Sequence, residues 1–171
     1  NCMNILIINY YAGSDIYGME FRPFYFGREL AKLGHEVTVL AAGYSHLRRR
    51  NPEVSVDFTE EKIEGVRYIW LKTPAYRRND LRRMLNMTTF LRKLKKYAPR
   101  IAAQCRPDAV VASSTYPYDV RGARRIADCC EKPCRVLYEI HDLWPLSLIE
   151  LYHLSEKNPY IRSLQKAEND A

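Results

Sequence analysis

The sequence predicts an α/β fold: a three-layer sandwich in which helices cover both faces of a mainly parallel sheet. Two observations lead to this fold class. Short apolar runs alternate with helical patterns along the chain, and neither an internal repeat nor a flexible linker interrupts them. A chain of 171 residues can bury a core without disulfide bonds. We therefore expect one domain over residues 3–171.

The first βαβ unit is predicted near the amino terminus. Asn4–Asn9 is a short apolar run and therefore a candidate strand. Pro23 suits the first turn of a helix, and Gly34 suits its end. His35–Ala42 is rich in β-branched and apolar residues, which favours a second buried strand.

The later elements continue the same alternation. The predicted strands are Val54–Glu61 at an edge, Val66–Leu71, Asp108–Ala112 and Arg135–Ile140, and the predicted helices are Leu81–Tyr97, Asp119–Cys130 and one from Asn158 onward. Pro99 is expected to end or kink the helix before it. Repeated βα units imply right-handed crossovers.

The positive charge is concentrated in one segment. Residues 77–106 carry ten basic side chains against one acidic side chain, in a chain of net charge +7. On the helix Leu81–Tyr97, the residues Arg82, Lys93 and Lys96 fall within about 60°. They lie opposite an apolar arc of Met84, Met87, Phe90, Leu91, Leu94 and Tyr97. This row is either a solvated helix face or a membrane-facing surface for anionic headgroups.

Composition limits the class of protein. No apolar run reaches the length of a membrane span, so we expect a cytoplasmic protein, peripheral on the inner membrane face if the basic row binds lipid. Nucleic acid is not an expected partner, because charge is its only support and the tyrosines form no stacking ladder. Five cysteines, an odd number, favour reduced thiols, and no ligand spacing predicts a metal.

Several common motifs are absent. The first βα turn lacks the GxGxxG spacing of dinucleotide-binding domains, and the chain has no Walker loop, GxSxG elbow or HExxH pair. Asn86-Met87-Thr88 matches the glycosylation pattern, but it falls inside a predicted helix, and we interpret it as chance.

Chemistry-bearing residues follow the predicted buried strands, where ligands bind in open parallel sheets. The candidates are Gly18, Arg22, Ser114, Tyr116, His141, Asp142 and Trp144. Gly18 precedes a helix and leaves room for an anion, and Arg22 adds a charged fork. The set suits a phosphorylated or polyhydroxylated ligand. Each member also has a plainer interpretation, since a lone histidine is often structural and Trp144 can simply pack.

Three stretches together resemble a known family. These are Tyr17-Gly18-Met19-Glu20-Phe21-Arg22-Pro23, Gly34-His35-Glu36-Val37-Thr38-Val39 and Glu139-Ile140-His141-Asp142-Leu143-Trp144-Pro145-Leu146-Ser147-Leu148-Ile149-Glu150. They are similar to the amino-terminal domain of family 4 glycosyltransferases, particularly the N-acetyl-fucosaminyl-type enzymes of bacterial O-antigen and capsule synthesis. The resemblance covers Met3 to Ala171.

The resemblance implies the amino-terminal half of a GT-B fold, with a Rossmann-like domain on each side of a cleft. It implies a retaining transferase that uses a nucleotide-diphosphate sugar as co-substrate, without cofactor or metal, on a glycan or lipid-linked acceptor. His141 would face the sugar or acceptor as the catalytic candidate, Gly18 would lie near the donor phosphates, and Ser114 and Tyr116 would line the acceptor side.

Two departures from the family pattern are visible. His141 occupies a position where close relatives often have Arg, and the doubled glycine before Met19 is missing. The family's carboxyl-terminal domain, with its basic pair and Glu-x7-Glu motif, does not fit in 171 residues. We therefore expect this chain to fold alone without transferring sugar alone. The alternative is a stand-alone nucleotide- or anion-binding module with a regulatory role.

Overall fold

The structure, a computed structural model, describes residues 2–77, 81–141, 146, 149–150, 155 and 157–170. The strands are β1 (Asn4–Ile8), β2 (Glu36–Ala42), β3 (Thr59–Ile63), β4 (Val66–Leu71), β5 (Ala109–Ala112) and β6 (Arg135–Tyr138). The helices are α1 (Arg22–Lys32), α2 (Leu81–Cys105), α3 (Asp119–Asp128) and α4 (Pro159–Asn169). The predicted α/β fold class is confirmed.

The six strands form one sheet in the order β3-β4-β2-β1-β5-β6. Every neighbouring pair is parallel except β3 and β4. The chain builds outward from β1 toward β4 and then crosses to β5 on the other side of β1. The strand order therefore reverses between β1 and β5, which is where open α/β sheets bind ligands.

Alternating side chains on the central strands supply two cores. Leu6 and Ile8 face the layer formed by α2 and α3, where Phe90 and Leu94 pack against them. Ile7 points to the opposite face and packs in the cluster that contains Phe24 of α1. Successive strand residues point to opposite faces, so a parallel strand covered on both sides reads as a continuous apolar run.

The edge of the sheet differs from the prediction. The edge strand is Thr59–Ile63 and not Val54–Glu61, and it pairs antiparallel with β4 through a two-residue turn. Both turn residues have positive φ, 45° at Glu64 and 86° at Gly65. Positive φ at both central positions matches the turn type whose twist suits a tight hairpin, and this fixes the register that the sequence pattern left open.

Helix α2 runs to Cys105, eight residues beyond the predicted end, and Pro99 lies inside it. Pro99 has no N–H, so the carbonyl of Lys95 loses its helical donor. Both residues lie on the exposed side of the helix. Water can therefore satisfy that carbonyl, and the buried side chain of Ile101 holds the next turn against the core. The predicted apolar arc is also wrong at one member, because Met84 is exposed.

Asn86 joins three segments beneath the carboxyl edge of the sheet. Its amide nitrogen donates to the carbonyl of Pro74 at 2.6 Å and to the hydroxyl of Thr73 at 3.1 Å. Its side-chain oxygen accepts a hydrogen bond from the Tyr10 hydroxyl. Asn86 is fully buried, which agrees with interpreting the glycosylation pattern as chance, because the folded chain hides this amide.

We expect Asn86→Ala to lower the free energy of unfolding by about 2 to 3 kcal/mol, because it leaves buried polar partners unpaired. Urea unfolding followed by circular dichroism measures this difference. Thr88→Ala is the control, since the Thr88 hydroxyl donates within its own helix, to the Leu85 carbonyl at 3.1 Å. Its cost should stay within about 0.5 kcal/mol. Equal losses in both variants would contradict the role of Asn86.

Candidate functional site

The loops after β1 and β5 are tied together where the strand order reverses. The Asn9 amide nitrogen donates to the Ser113 carbonyl at 2.7 Å, and its oxygen accepts from the backbone of Tyr11 at 3.0 Å. The hydroxyl of Ser114 accepts from the backbone of Tyr10 at 2.9 Å. The two loops that the topology brings together are thus held by buried side-chain hydrogen bonds.

A cluster centred on Glu139 lies at this edge, just beyond β6. Arg22 donates from Nε to Glu139 Oε1 at 2.6 Å and makes a second, charge-assisted bond from Nη2. Ser113 Oγ donates to Glu139 Oε2 at 2.6 Å. His141 Nε2 lies 3.1 Å from the same oxygen and 3.2 Å from Ser113 Oγ. Two predicted site residues, Arg22 and His141, therefore meet through one carboxylate.

We call Arg22, Ser113, Glu139 and His141 the Glu139 cluster. Its members are open to a ligand to different degrees, because the side chains of Glu139 and His141 are each 21% exposed and that of Arg22 is 54% exposed. Burial favours the neutral form of Glu139, but the hydrogen bonds from Arg22 and Ser113 and the charge of His141 outweigh it. The net effect holds the pKa of Glu139 below its usual range. The cluster thus contains a carboxylate held ionised beside the Arg22 guanidinium and the His141 imidazole.

Glycines shape the loop after β1 in a way that differs from the expectation. A Cβ on Gly13 would lie 1.9 Å from the carbonyl oxygen of Gly18, so no other residue fits this crossing of the backbone. Gly18 has φ of 91°, which also favours glycine. Its N–H donates to the Ser14 carbonyl at 2.7 Å and is already used within the loop. The donor role of Gly18 toward a phosphate remains a prediction.

Arg48 supports this loop from below. Its side chain is buried, donates from Nε to the Ala12 carbonyl at 2.8 Å and from Nη1 to Asn51 at 3.1 Å, and lies 4.8 Å from the centre of the Trp70 ring. Burial lowers the pKa of Arg48 to about 10, so the guanidinium stays charged at neutral pH. The burial of Arg48 was not predicted, because in the sequence it belongs to a run of three arginines in a polar loop.

On the α2 side of the edge, a second group forms around Arg83. Arg83 Nη2 donates to the hydroxyls of Tyr11 at 2.9 Å and Tyr116 at 3.0 Å. Burial and the neighbouring phenol of Tyr116 raise the pKa of Tyr11, which keeps its hydroxyl neutral. Tyr116 is half-buried at this edge of the sheet. We call Tyr11, Arg83 and Tyr116 the Arg83 group; its phenols and cation suit hydroxyl or phosphate groups of a ligand.

Ser114 has a different position from the one expected. It is buried; its N–H donates to Asp119 Oδ2 at 3.1 Å and its hydroxyl accepts from Tyr10. Burial raises the pKa of Asp119 to about 7, against the opposing hydrogen bonds from Ser114. In this structure Ser114 holds the two loops together, and the adjacent Ser113, the other member of the serine pair after β5, carries the hydroxyl of the Glu139 cluster.

His46 also lies near this edge, although no sequence pattern predicts a site there. Its Nδ1 lies 2.7 Å from the Tyr76 hydroxyl, and its ring centre is 6.1 Å from that of Tyr11. Burial and the charge of Arg83 lower its pKa. No local spacing could reveal this neighbourhood, because the loops after β2 and β4 meet only in the folded sheet.

The remaining candidates are distributed as follows. Asp142 and Trp144 lie outside the described residues. On α2, Arg82 and Lys96 are exposed, and Lys96 lies over the Tyr97 ring at 5.2 Å. Lys93 is largely covered and pairs with Asp57 at 2.7 Å. The membrane-facing role of these three residues stays a prediction, and the ion pair gives Lys93 a structural partner.

Two further properties concern the described residues alone. Within them, no three His, Cys, Asp or Glu side chains lie close enough to hold a metal ion. None of the helices in the described ranges has the length and hydropathy needed to span a bilayer.

We expect Glu139→Gln to reduce stability by about 1 kcal/mol at pH 7, because it removes the charge that Arg22 contacts. A carboxylate with a lowered pKa stabilises the fold above the unfolded value of about 4.3 and loses this contribution as pH falls through its folded value. The difference between wild type and variant should therefore shrink between about pH 5 and pH 3 in urea unfolding.

Glu131→Gln is the matched control, since Glu131 is an exposed glutamate at the opposite end of the sheet. It should leave stability within about 0.5 kcal/mol at every pH. A Glu139→Gln difference that stays constant with pH would show that folding does not lower the pKa of Glu139, and it would contradict the stabilising contact with Arg22.

Comparison with known proteins agrees with this architecture. A search of curated proteins returns no significant match. The sequence profile described as Glycosyltransferase Family 4 matches residues 16–170, which include helices α1 to α4, the whole Glu139 cluster and two members of the Arg83 group, Arg83 and Tyr116. The match spans most of the chain and both halves of the site, so this chain belongs to glycosyltransferase family 4.

Proposed function

We propose that this chain is the acceptor-side domain of a retaining glycosyltransferase. In this proposal the enzyme moves a sugar, of hexosyl or N-acetylhexosaminyl type, from a nucleotide-diphosphate sugar to a lipid-linked glycan in bacterial O-antigen or capsule synthesis. Family membership supports the transferase class. The observation that carries the residue roles is the Glu139 cluster, where a cation and an imidazole share one carboxylate at the reversal of strand order.

The chemistry of transfer suits this cluster. The bond between the anomeric carbon and the diphosphate breaks, a bond to the acceptor oxygen forms, and the acceptor hydroxyl gives its proton to the departing diphosphate or to water. Negative charge develops on the diphosphate oxygens as they leave. Arg22, oriented by Glu139 and more than half exposed, can offer its remaining N–H groups to that charge. Pre-orientation matters because a side chain that is already fixed loses less freedom when the charge develops.

His141 is proposed to hydrogen-bond a hydroxyl of the sugar or acceptor. Its Nε2 lies within hydrogen-bond distance of Glu139 and Ser113, which fixes the ring at the crevice. An oriented imidazole can donate to or accept from a hydroxyl according to its protonation state. The Arg83 group on the other side of the crevice is proposed to contact the acceptor glycan through Tyr116.

The proposal includes a second domain of the same enzyme that holds the nucleotide. The predicted Gly18 role belongs with this part of the proposal, since donor phosphates would lie between the two domains. No cofactor and no metal take part in it.

The test uses protein expressed from the complete open reading frame that contains these 171 residues. It is incubated with a panel of nucleotide-sugars and bacterial membranes that contain lipid-linked glycans, and both nucleoside diphosphate release and label in the lipid fraction are measured. We expect His141→Ala to lower kcat/KM by about 100-fold or more. His35→Ala is the control, because His35 binds the Met3 backbone at 3.2 Å at the far end of β1, and it should change the rate by less than about twofold.

Two results would contradict the proposal. One is full activity in His141→Ala. The other is tight nucleotide binding by residues 1–171 alone combined with no transfer by the complete reading frame, which would favour a regulatory nucleotide-binding module.

A further inference from the structure

His46 is an exposed histidine that the proposed transfer does not use. It follows β2, and its ring centre lies 5.6 Å from that of Tyr76 and 6.1 Å from that of Tyr11. These two tyrosines follow β4 and β1, which are the neighbours of β2 in the sheet. His46 therefore stands at the same carboxyl edge as the Arg83 group, on the side of β2 and β4.

A chain of hydrogen bonds determines which ring nitrogen of His46 carries the proton. The chain starts at Asn86, whose amide nitrogen faces the Pro74 carbonyl at 2.6 Å, so that its oxygen faces Tyr10. A carbonyl oxygen can only accept, and the Tyr10 hydroxyl therefore donates its one proton to Asn86. Tyr10 and Tyr76 are also side-chain hydrogen-bond partners, so Tyr76 is the donor in that second bond.

The hydroxyl oxygen of Tyr76 is then left to accept from His46. It lies 2.7 Å from His46 Nδ1 and 3.4 Å from the His46 backbone nitrogen. Because the Tyr76 proton is used on Tyr10, the proton between Tyr76 and the imidazole belongs to Nδ1. Tyr76 is itself buried, which keeps water from competing for this bond.

This direction leaves a lone pair on the other ring nitrogen of His46. A neutral imidazole with its proton on Nδ1 is a hydrogen-bond acceptor at Nε2. Burial and the charge of Arg83 lower the pKa of His46, so the ring is neutral at pH 7. Within the part of the chain that the structure describes, no group hydrogen-bonds Nε2. His46 thus presents an oriented acceptor to a ligand.

The charge beside this acceptor is positive. Arg83 acts on the His46 ring and donates to the hydroxyls of Tyr11 and Tyr116. A hydroxyl group of a ligand would donate to Nε2, and a negatively charged oxygen would be attracted to the guanidinium. A sugar that carries a carboxylate or a phosphate near a free hydroxyl satisfies both requirements.

We propose that His46 is a binding residue for an anionic saccharide, whose hydroxyl donates to His46 Nε2 and whose carboxylate or phosphate lies against Arg83. An inorganic anion would use the guanidinium alone, and a neutral sugar would use the imidazole alone. In the proposed transferase this saccharide is part of the acceptor, and that step rests on the proposed function. The binding itself does not depend on it.

The first test is the position of the proton. Long-range proton–nitrogen NMR of the purified chain at pH 7 should show the Nδ1–H form for His46. His35 is the internal control, because its Nδ1 accepts from the Met3 backbone N–H at 3.2 Å and its proton is therefore on Nε2. Tyr76→Phe should no longer hold His46 in the Nδ1–H form. An Nε2–H form of His46 in the wild-type chain would overturn the inference.

The second test is ligand binding, followed by the ring signals of His46. The probes are glucuronate, glucose 1-phosphate, glucose and inorganic phosphate, so that the carboxylate and phosphate forms are separated. We expect one of the two anionic sugars to bind about tenfold or more tightly than both glucose and phosphate, since it gains one further polar contact. Phosphate that binds as tightly as either anionic sugar would overturn the inference, because the cation alone would then account for binding.

Substitutions at His46 separate the contact with Tyr76 from the contact with the ligand. Asparagine places an N–H donor near the position of Nδ1 and nothing at that of Nε2, so His46→Asn should keep the fold and weaken binding about tenfold. Glutamine places an acceptor oxygen farther out, and His46→Gln should bind within about threefold of wild type. His35→Asn is the control and should bind like wild type. Equal binding by wild type and His46→Asn would overturn the inference.

The complete reading frame tests the link to transfer. We expect His46→Asn to raise the KM for the acceptor about tenfold and to leave the KM for the nucleotide-sugar unchanged. Binding that depends on His46 in a protein that transfers no sugar would contradict the proposed function and support the binding site. Transfer with an unchanged acceptor KM in His46→Asn would contradict the place of this saccharide in the acceptor.

Discussion

The Glu139 carboxylate is the interaction on which the candidate site depends. It receives Arg22 from the start of α1, Ser113 from the end of β5 and His141 from its own segment. Because Arg22 is more than half exposed, the ion pair adds little to global stability. Its value is geometric: three segments that are far apart in sequence present a cation, a hydroxyl and an imidazole to the same point.

That geometry requires a rigid edge, and buried polar side chains provide it. Asn9 and Ser114 join the loops after β1 and β5, and Asn86 joins the β1 loop to α2 and to the segment after β4. A buried polar atom without a partner costs free energy, so such networks specify one arrangement of loops where an apolar contact would allow several. Asp119 and Arg48 each keep one buried atom without a partner among the described residues. Both lie under the loops of the site, where proteins commonly tolerate a local loss of stability in order to position functional side chains.

The strands and most helix boundaries could be predicted from the sequence because their signals are local. Continuous apolar runs identified the parallel strands, and Gly34 and Asn158 marked helix boundaries that the structure confirms to within a residue or two. Pro99 misled the prediction because its effect depends on which side of the helix faces water. Glu139 was visible as a carboxylate ending an apolar strand, yet nothing in the sequence tells that Arg22, 117 residues earlier, would reach it. Partners across the sheet edge are a property of strand order, which spacing along the chain does not encode.

Helix α2 shows how one segment can serve two surfaces. Its inner face contributes Phe90 and Leu94 to the core and, two turns before Phe90, Arg83 to the site. Its packing fixes the rotation of the helix, and that rotation then decides which charges face outward. The pairing of Lys93 with Asp57 follows from the same rotation, so Lys93 is largely covered while Arg92 and Lys95 are exposed. The exposed basic side chains and the contact of Arg83 with Tyr116 thus lie on opposite sides of the helix, and moving either would require the core packing of the helix to change.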